Sequence, residues 1–266
     1  MKDLSARLLS LLAGKPELLS GFPEWMLPQE TVKQISKERH IAIAEIAGRD
    51  SIAAVLLACE KRTIRAIVPT LAYTGTEYGN WEIPLLKIKS LKTLLKRKRV
   101  KVFDPVFLGS PKFWGTLCGR YASHFFEKYK FYSHCIGCHL YLHAIRIPLA
   151  RKLGVKLVVG GERESHDDRI KVNQIGAALD AYQSLMSKFN VELILPLRYI
   201  KSGREIESII GTEWDEGDQQ LACVLSRNYQ KMDGSVSFDE SAVKRFLDDF
   251  ALETAEEIIR EQLLHL

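Results

Sequence analysis

Short apolar runs alternate with helix-patterned segments along most of this chain, and that alternation limits its architecture more than any other feature. Residues 40 to 46 read HIAIAEI, an isoleucine-rich run with charge before it and Gly48 after it, which predicts a buried strand. Residues 51 to 61 then switch to helical composition. The pattern recurs as strand 63–70, helix 82–95, strand 100–103, helix 138–153, strand 155–160, helix 174–188 and strand 191–195. Strands apolar on both faces, alternating with helices, predict an α/β fold: a parallel sheet of about five strands covered by helices on both faces. Residues 1–37 read as a helical N-terminal extension and 38–200 as the α/β domain. Residues 201–266 read as an acidic helical region packed on the same domain.

At 266 residues, 46% hydrophobic and 27% charged, the chain can bury a large core without disulfides or a metal, and its composition excludes a disordered or collagen-like protein. It contains no run of 18 apolar residues, so no membrane span is expected and the expected location is cytoplasmic. The charge is unevenly spread. Residues 201 to 266 carry 15 acidic against 7 basic side chains, so a net −8 there stands against +13 in residues 1 to 200. Between Ile83 and Phe103 there is no acidic residue, while Lys87, Lys89, Lys92, Lys96, Arg97, Lys98, Arg99 and Lys101 supply eight cations. Such a stretch is either a solvated helix face or a contact for a phosphate backbone.

In an open parallel sheet, ligands bind beyond the carboxyl ends of the strands, near the point where strand order reverses. That directs attention to the loops at 47–50, 71–80 and 160–168. In the first, Gly48-Arg49-Asp50-Ser51 enters a helix, whose free N–H groups and positive dipole end suit a phosphate. Gly48 permits close approach, Asp50 or Ser51 can cap the helix, and Arg49 adds a charge. An ordinary strand-to-helix turn can carry the same residues. The segment is neither G-x-G-x-x-G nor a Walker A motif.

Five cysteines, an odd number, favour metal binding or thiol chemistry over a disulfide framework. Cys135-Ile136-Gly137-Cys138 is a C-x-x-C where a long loop enters a helix, a position that lowers thiol pKa values. Further ligands are available in Cys118, Cys223, His134, His139 and His143, the last two at i and i+4 on one helix face. An iron–sulfur cluster is favoured, zinc is the second choice, and a redox pair or inert thiols are the remaining readings. Cys59, among Ala, Val and Leu, reads as a small buried apolar residue. Cys118 reads equally as a ligand, a sulfur-accepting thiol or a packed loop residue.

The loop after the first strand resembles that of the PP-loop ATP pyrophosphatase superfamily, whose first strand ends in S-G-G-x-D-S. Gly48-Arg49-Asp50-Ser51 matches its last four positions, whereas Ile46 and Ala47 replace its serine and first glycine and so remove one hydroxyl contact to phosphate. A second block, from Cys138 through Gly160 and Gly161 to the paired Asp167 and Asp168, is similar to the superfamily's second conserved segment, with about two extra residues before Asp167. The cysteines are similar to those of the superfamily's iron–sulfur tRNA thiolases, which carry C-x-x-C before this helix and a third cysteine much later, as Cys223 stands here. The likeness runs over residues 41 to 226.

The resemblance implies a Rossmann-like, PP-loop-type fold and ATP bound by Ala47, Gly48, Arg49, Asp50, Ser51, Thr70, Gly160 and Gly161, with Mg²⁺ assisting. It further implies a [4Fe–4S] cluster on Cys135, Cys138 and Cys223. The reaction it implies is adenylation of a carbonyl oxygen with release of pyrophosphate, then replacement of that oxygen by sulfur, with Asp50, Arg49, Cys135 and Cys223 as catalytic candidates. Expected partners are ATP, a sulfur donor and tRNA along residues 87–101, with a homodimer as the candidate assembly. Tyr73, Tyr78, Trp81, Phe113 and Trp114 are available either to stack on a base or to pack. Two alternatives stand beside this reading: an oxidoreductase similar to phosphoadenylylsulfate reductases, suggested by Thr74-Gly75, and a nucleotide-binding protein without catalysis.

Overall fold

The computed structural model describes residues 26–167, 169–211 and 220–264. Helix α1 (Gln29–Lys37) leads into β1 (Ile41–Glu45), α2 (Arg49–Lys61) and β2 (Ala66–Tyr73). A short β3 (Glu77–Tyr78) precedes α3 (Glu82–Lys96), and β4 (Lys101–Val102) and β5 (Val106–Gly109) follow. The middle of the chain is helical: α4 (Pro111–Trp114), a π turn (Gly115–Gly119), α5 (Ala122–Tyr129), α6 (His134–Ala144) and α7 (Arg146–Leu153). Then come β6 (Leu157–Val159), α8 (Gly176–Lys188), β7 (Glu192–Ile194), α9 (Gly203–Ile210), β8 (Ala222–Cys223), α10 (Glu240–Phe246) and α11 (Leu252–Leu263).

The main sheet is parallel in the order β4-β2-β1-β6-β7, with β5 also on β2. Ala66 and Ile67 face β4 while Thr70 to Tyr73 face β5, so these two short strands share one edge of β2. The chain builds outward from β1 on one side, then returns to lay β6 and β7 on the other. The switch point therefore falls between β1 and β6, directly above the loops that hold Gly48 and Gly160. Ala42, Ile43 and Ala44 of β1 and the run Ile52 to Leu56 of α2 are buried, as expected of a central strand and a helix covered from several sides.

The α/β alternation is present as read, with local differences that have physical causes. The predicted strand at 63–70 runs later, as β2, because Thr63 to Arg65 serve as the turn from α2. The predicted strand at 100–103 is only the first of two, since Pro105, lacking an N–H, ends one ladder before Val106 starts the next. The single helix predicted over 138–153 is two helices that begin earlier, at His134, with the Ser133 hydroxyl accepting from the Cys135 N–H at 3.3 Å. Pro148 cannot donate to the Ala144 carbonyl, and the break falls beside it at Ile145. Residues 222–238 contain no helix, unlike the helical reading of that region. Of the N-terminal extension, residues 1–25 lie outside the described part. No helix among the described residues is long and apolar enough to cross a membrane.

Candidate functional site

The strand-to-helix turn after β1 is closed by its own serine. Ser51 Oγ donates to the Gly48 carbonyl at 2.7 Å and accepts from the Ala47 N–H at 3.0 Å, which holds the turn without outside help. Gly161, from the loop after β6, lies against the first turn of α2. A Cβ there would stand 2.7 Å from the Ser51 nitrogen, so only glycine permits this contact. Gly48 instead meets the flexible end of the Gln220 side chain, whose oxygen would lie 2.6 Å from an added Cβ. The loop therefore meets the β6 loop on one side and the segment leading to Cys223 on the other.

Asp50 sits between two guanidinium groups. Arg49 Nε donates to its Oδ1 at 3.1 Å, and Arg163 Nε donates to its Oδ2 at 2.9 Å. Burial alone pushes the Asp50 carboxyl up, but the charge and hydrogen bond of Arg163, aided by Arg49, outweigh this and hold it below the usual carboxylate range. Arg163 is itself buried and also donates to the Lys201 carbonyl at 2.8 Å. Arg49 reaches Glu207 at 3.5 Å, and Asp167 Oδ1 accepts from the Gly203 N–H at 2.8 Å, at the start of α9. Sequence reasoning gave Arg163 no role, although it follows Gly160-Gly161-Glu162 directly. Asp168 lies outside the described residues. Thr70 is fully buried, and its hydroxyl donates to the Ala44 carbonyl and accepts from Arg146 Nε, each at 2.8 Å.

Four of the five cysteines converge near the start of α6. Cys135 and Cys138 lie on its first turns, and Cys223 on β8, which pairs antiparallel with β3 so that Cys223 stands opposite Glu77. Each sulfur has a polar neighbour: Asn228 Nδ2 donates to Cys135 at 3.2 Å, Trp114 Nε1 donates to Cys138 at 3.3 Å, and the Thr76 hydroxyl is 3.3 Å from Cys223. Asn228 is oriented by Ser133, whose hydroxyl donates to its Oδ1 at 2.9 Å. Cys118, on the π turn rather than in a loop, is fully buried beside Cys138. Gly137 makes that approach feasible, since a Cβ would stand 2.6 Å from the Leu117 carbonyl oxygen and 3.3 Å from Cys118 Sγ.

The helix N-terminus does not by itself keep these thiols ionised. Burial pushes Cys135 up to about 12, with the neighbouring Cys138 adding to the rise. Cys118 rises through burial and its contact with Cys138. For Cys135 the expectation that helix position lowers the thiol pKa is thus reversed, because desolvation is the largest influence on it. A soft cation reverses that balance: it supplies the missing positive charge and displaces the protons. The donor set, grouped sulfurs with N–H groups aimed at them, fits such a cation.

The histidines and aromatics divide differently. His139 and His143 lie beside Glu162, at 3.5 Å and 3.0 Å, and not among the thiols. His134 packs against Tyr132. Tyr73 and Phe113 are buried packing residues, Trp81 lies between Tyr73 and Phe107, and Tyr78 is exposed. Cys59 packs partly buried against the core, and burial pushes its thiol up to about 11. In the basic stretch, Lys98 pairs with Glu60 and Lys101 with Glu38, while Lys89, Lys92, Lys96, Arg97 and Arg99 are exposed.

No protein-family model matches the chain. The uncharacterized protein MJ0009 of Methanocaldococcus jannaschii is 42% identical to it over 253 residues, covering 91% of this chain and 89% of that protein. Among solved structures, the U34-tRNA thiolase NcsA from Methanococcus maripaludis with its [4Fe-4S] cluster aligns over 90% of this chain and 79% of its own, with 14% identity and a TM-score of 0.41.

Proposed function

The chain belongs to the family of that Methanocaldococcus jannaschii protein, and for this member we propose an ATP-dependent sulfur transferase of the PP-loop type. The observation that carries the reading is one of placement. The glycine turn at the head of α2 and the cysteine group at the head of α6 are joined by a single short segment, in which Gln220 touches Gly48 and Cys223 pairs beside Glu77. A nucleotide and a sulfur centre held so close suit a reaction that activates an oxygen and replaces it with sulfur.

In this proposal the ATP phosphates lie over Gly48 to Ser51, at the positive dipole end of α2, with the flexible Gln220 side chain moving off Gly48 to admit them. Arg49 and Arg163 stabilise the charge that builds on the α-phosphate as the acceptor's carbonyl oxygen attacks and pyrophosphate leaves. Asp50 keeps both guanidinium groups oriented. Beside Asp50, Asp167 and Glu207, a bound Mg²⁺ would neutralise part of the triphosphate charge. Cys135, Cys138 and Cys223 would hold a [4Fe–4S] cluster, which when bound supplies a soft Lewis-acid site for sulfur. Asn228, Trp114 and Thr76 hydrogen-bond the ligand sulfurs and set their orientation. A sulfur nucleophile from a donor then displaces AMP, which converts C=O to C=S. We propose tRNA as the acceptor, bound along the exposed cations of α3 and the turn after it.

The test is pyrophosphate release from ATP by the anaerobically prepared protein with bulk tRNA. Asp50→Ala is expected to abolish it while metal content stays at the wild-type level. Equal pyrophosphate release by Asp50→Ala would remove the turn from the reaction.

A further inference from the structure

Behind the cysteine group, the next two turns of α6 carry His139 and His143, which the reaction above leaves unused. They meet Glu45 at the end of β1 and Glu162 in the loop after β6. The His143 ring is fully buried between the two carboxylates, with Nε2 3.0 Å from Glu162 and Nδ1 3.8 Å from Glu45. The contact to Glu162 is short and that to Glu45 is long. Both His143 nitrogens, His139 Nδ1 and one oxygen of each carboxylate are buried without a hydrogen-bond partner. Arg146 lies 3.4 Å from Glu45, but its Nε is engaged by Thr70 and its Nη1 by the Leu142 carbonyl.

Buried charges recover their desolvation cost through aligned hydrogen bonds or through a metal. One imidazole nitrogen of His143 and one oxygen each from Glu45 and Glu162 lie within 4.8 Å of one another. An ion about 2.1 Å from each donor would hold them about 3 to 4 Å apart, so the three close on a cation with small side-chain movement. Gly160 makes the space: a Cβ there would stand 2.5 Å from the Glu162 carboxylate and 3.3 Å from the His143 ring.

We propose that Glu45, His143 and Glu162 form a second metal site, separate from the cysteine group, for a divalent first-row ion of the manganese or zinc class. His139 stands outside this trio, 3.5 Å from Glu162. A nitrogen-and-oxygen donor set selects such ions, whereas the sulfur set at the other end of α6 selects softer ones. The ion ties the end of β1, the middle of α6 and the β6 loop together. It thereby holds Gly161 against the nucleotide turn.

The experiment uses the full chain carrying Cys135→Ser and Cys138→Ser, stripped with a chelator and titrated with Mn²⁺. The electron paramagnetic resonance signal of free Mn²⁺ reports binding. About one Mn²⁺ per chain is expected, with affinity lowered at least roughly tenfold by Glu162→Gln. No binding, or binding unchanged by Glu162→Gln, would overturn the site. If Glu162→Gln fails to fold, pulsed spectra of Mn²⁺ on the parent chain decide the matter. Imidazole nitrogen coupling is expected, and its absence overturns the proposal.

Discussion

Arg163 shows how a single side chain governs the turn after β1. It is buried, it bonds Asp50 and the Lys201 carbonyl, and without it Asp50 retains only Arg49. Because the Asp50 carboxyl is held low in the fold, its contribution to stability is complete above the unfolded value of about 3.9 and is lost as pH falls through the lower folded value. Arg163→Ala is expected to leave burial dominant, so acid unfolding followed by circular dichroism should begin at a higher pH than in the wild type. Equal acid transitions would mean that the ion pair contributes nothing. Gly161→Ala places a methyl 2.7 Å from a backbone nitrogen, and a loss of about 1 to 3 kcal/mol is expected in denaturant titration, with weaker ATP binding. The glycines and Asp50 were legible in the sequence as a motif. Arg163 was not, because its role depends on β6 lying beside β1, a pairing of residues more than a hundred positions apart.

At the scale of elements, α6 carries two sets of side chains at successive turns: thiols at its start, and imidazoles one turn further on. The C-x-x-C spacing and the i, i+4 histidines were both readable, as was the approximate helix. The partition of the histidines toward Glu162 was not readable, since Glu162 is an unremarkable acid until the β6 loop folds back over Gly160. The role of Cys118 was left open for a similar reason: the π turn that carries it has no simple periodicity. Gly137 is the element-level contact between that turn and α6. Gly137→Ala is expected to push the Leu117 carbonyl away, at a cost of about 1 to 3 kcal/mol in thermal or denaturant unfolding, and to lower metal retention at the cysteines. Wild-type stability and metal content in this variant would show that the approach of Cys118 is incidental.

Across the whole molecule, the alternation of strands and helices was the most legible feature, because strands buried on both faces call for a parallel sheet under helices, whereas the strand order rests on pairings distant in sequence. The sheet's switch point then fixes where the glycine turns meet. The exposed cations between Lys89 and Arg99 give the proposed tRNA contact a measurable signature. Binding affinity is expected to fall steeply with salt, and replacing Lys89, Lys92 and Lys96 by glutamine should flatten that dependence; an unchanged slope would place the acceptor elsewhere. The central claim is that the cysteine group holds an iron–sulfur cluster beside a nucleotide site. Its most direct test is iron, acid-labile sulfide and zinc analysis of the anaerobically prepared full chain, wild type beside Cys135→Ser. About four irons and four sulfides per wild-type chain, lost in Cys135→Ser, are expected. One zinc with no iron or sulfide in the wild type would contradict the claim.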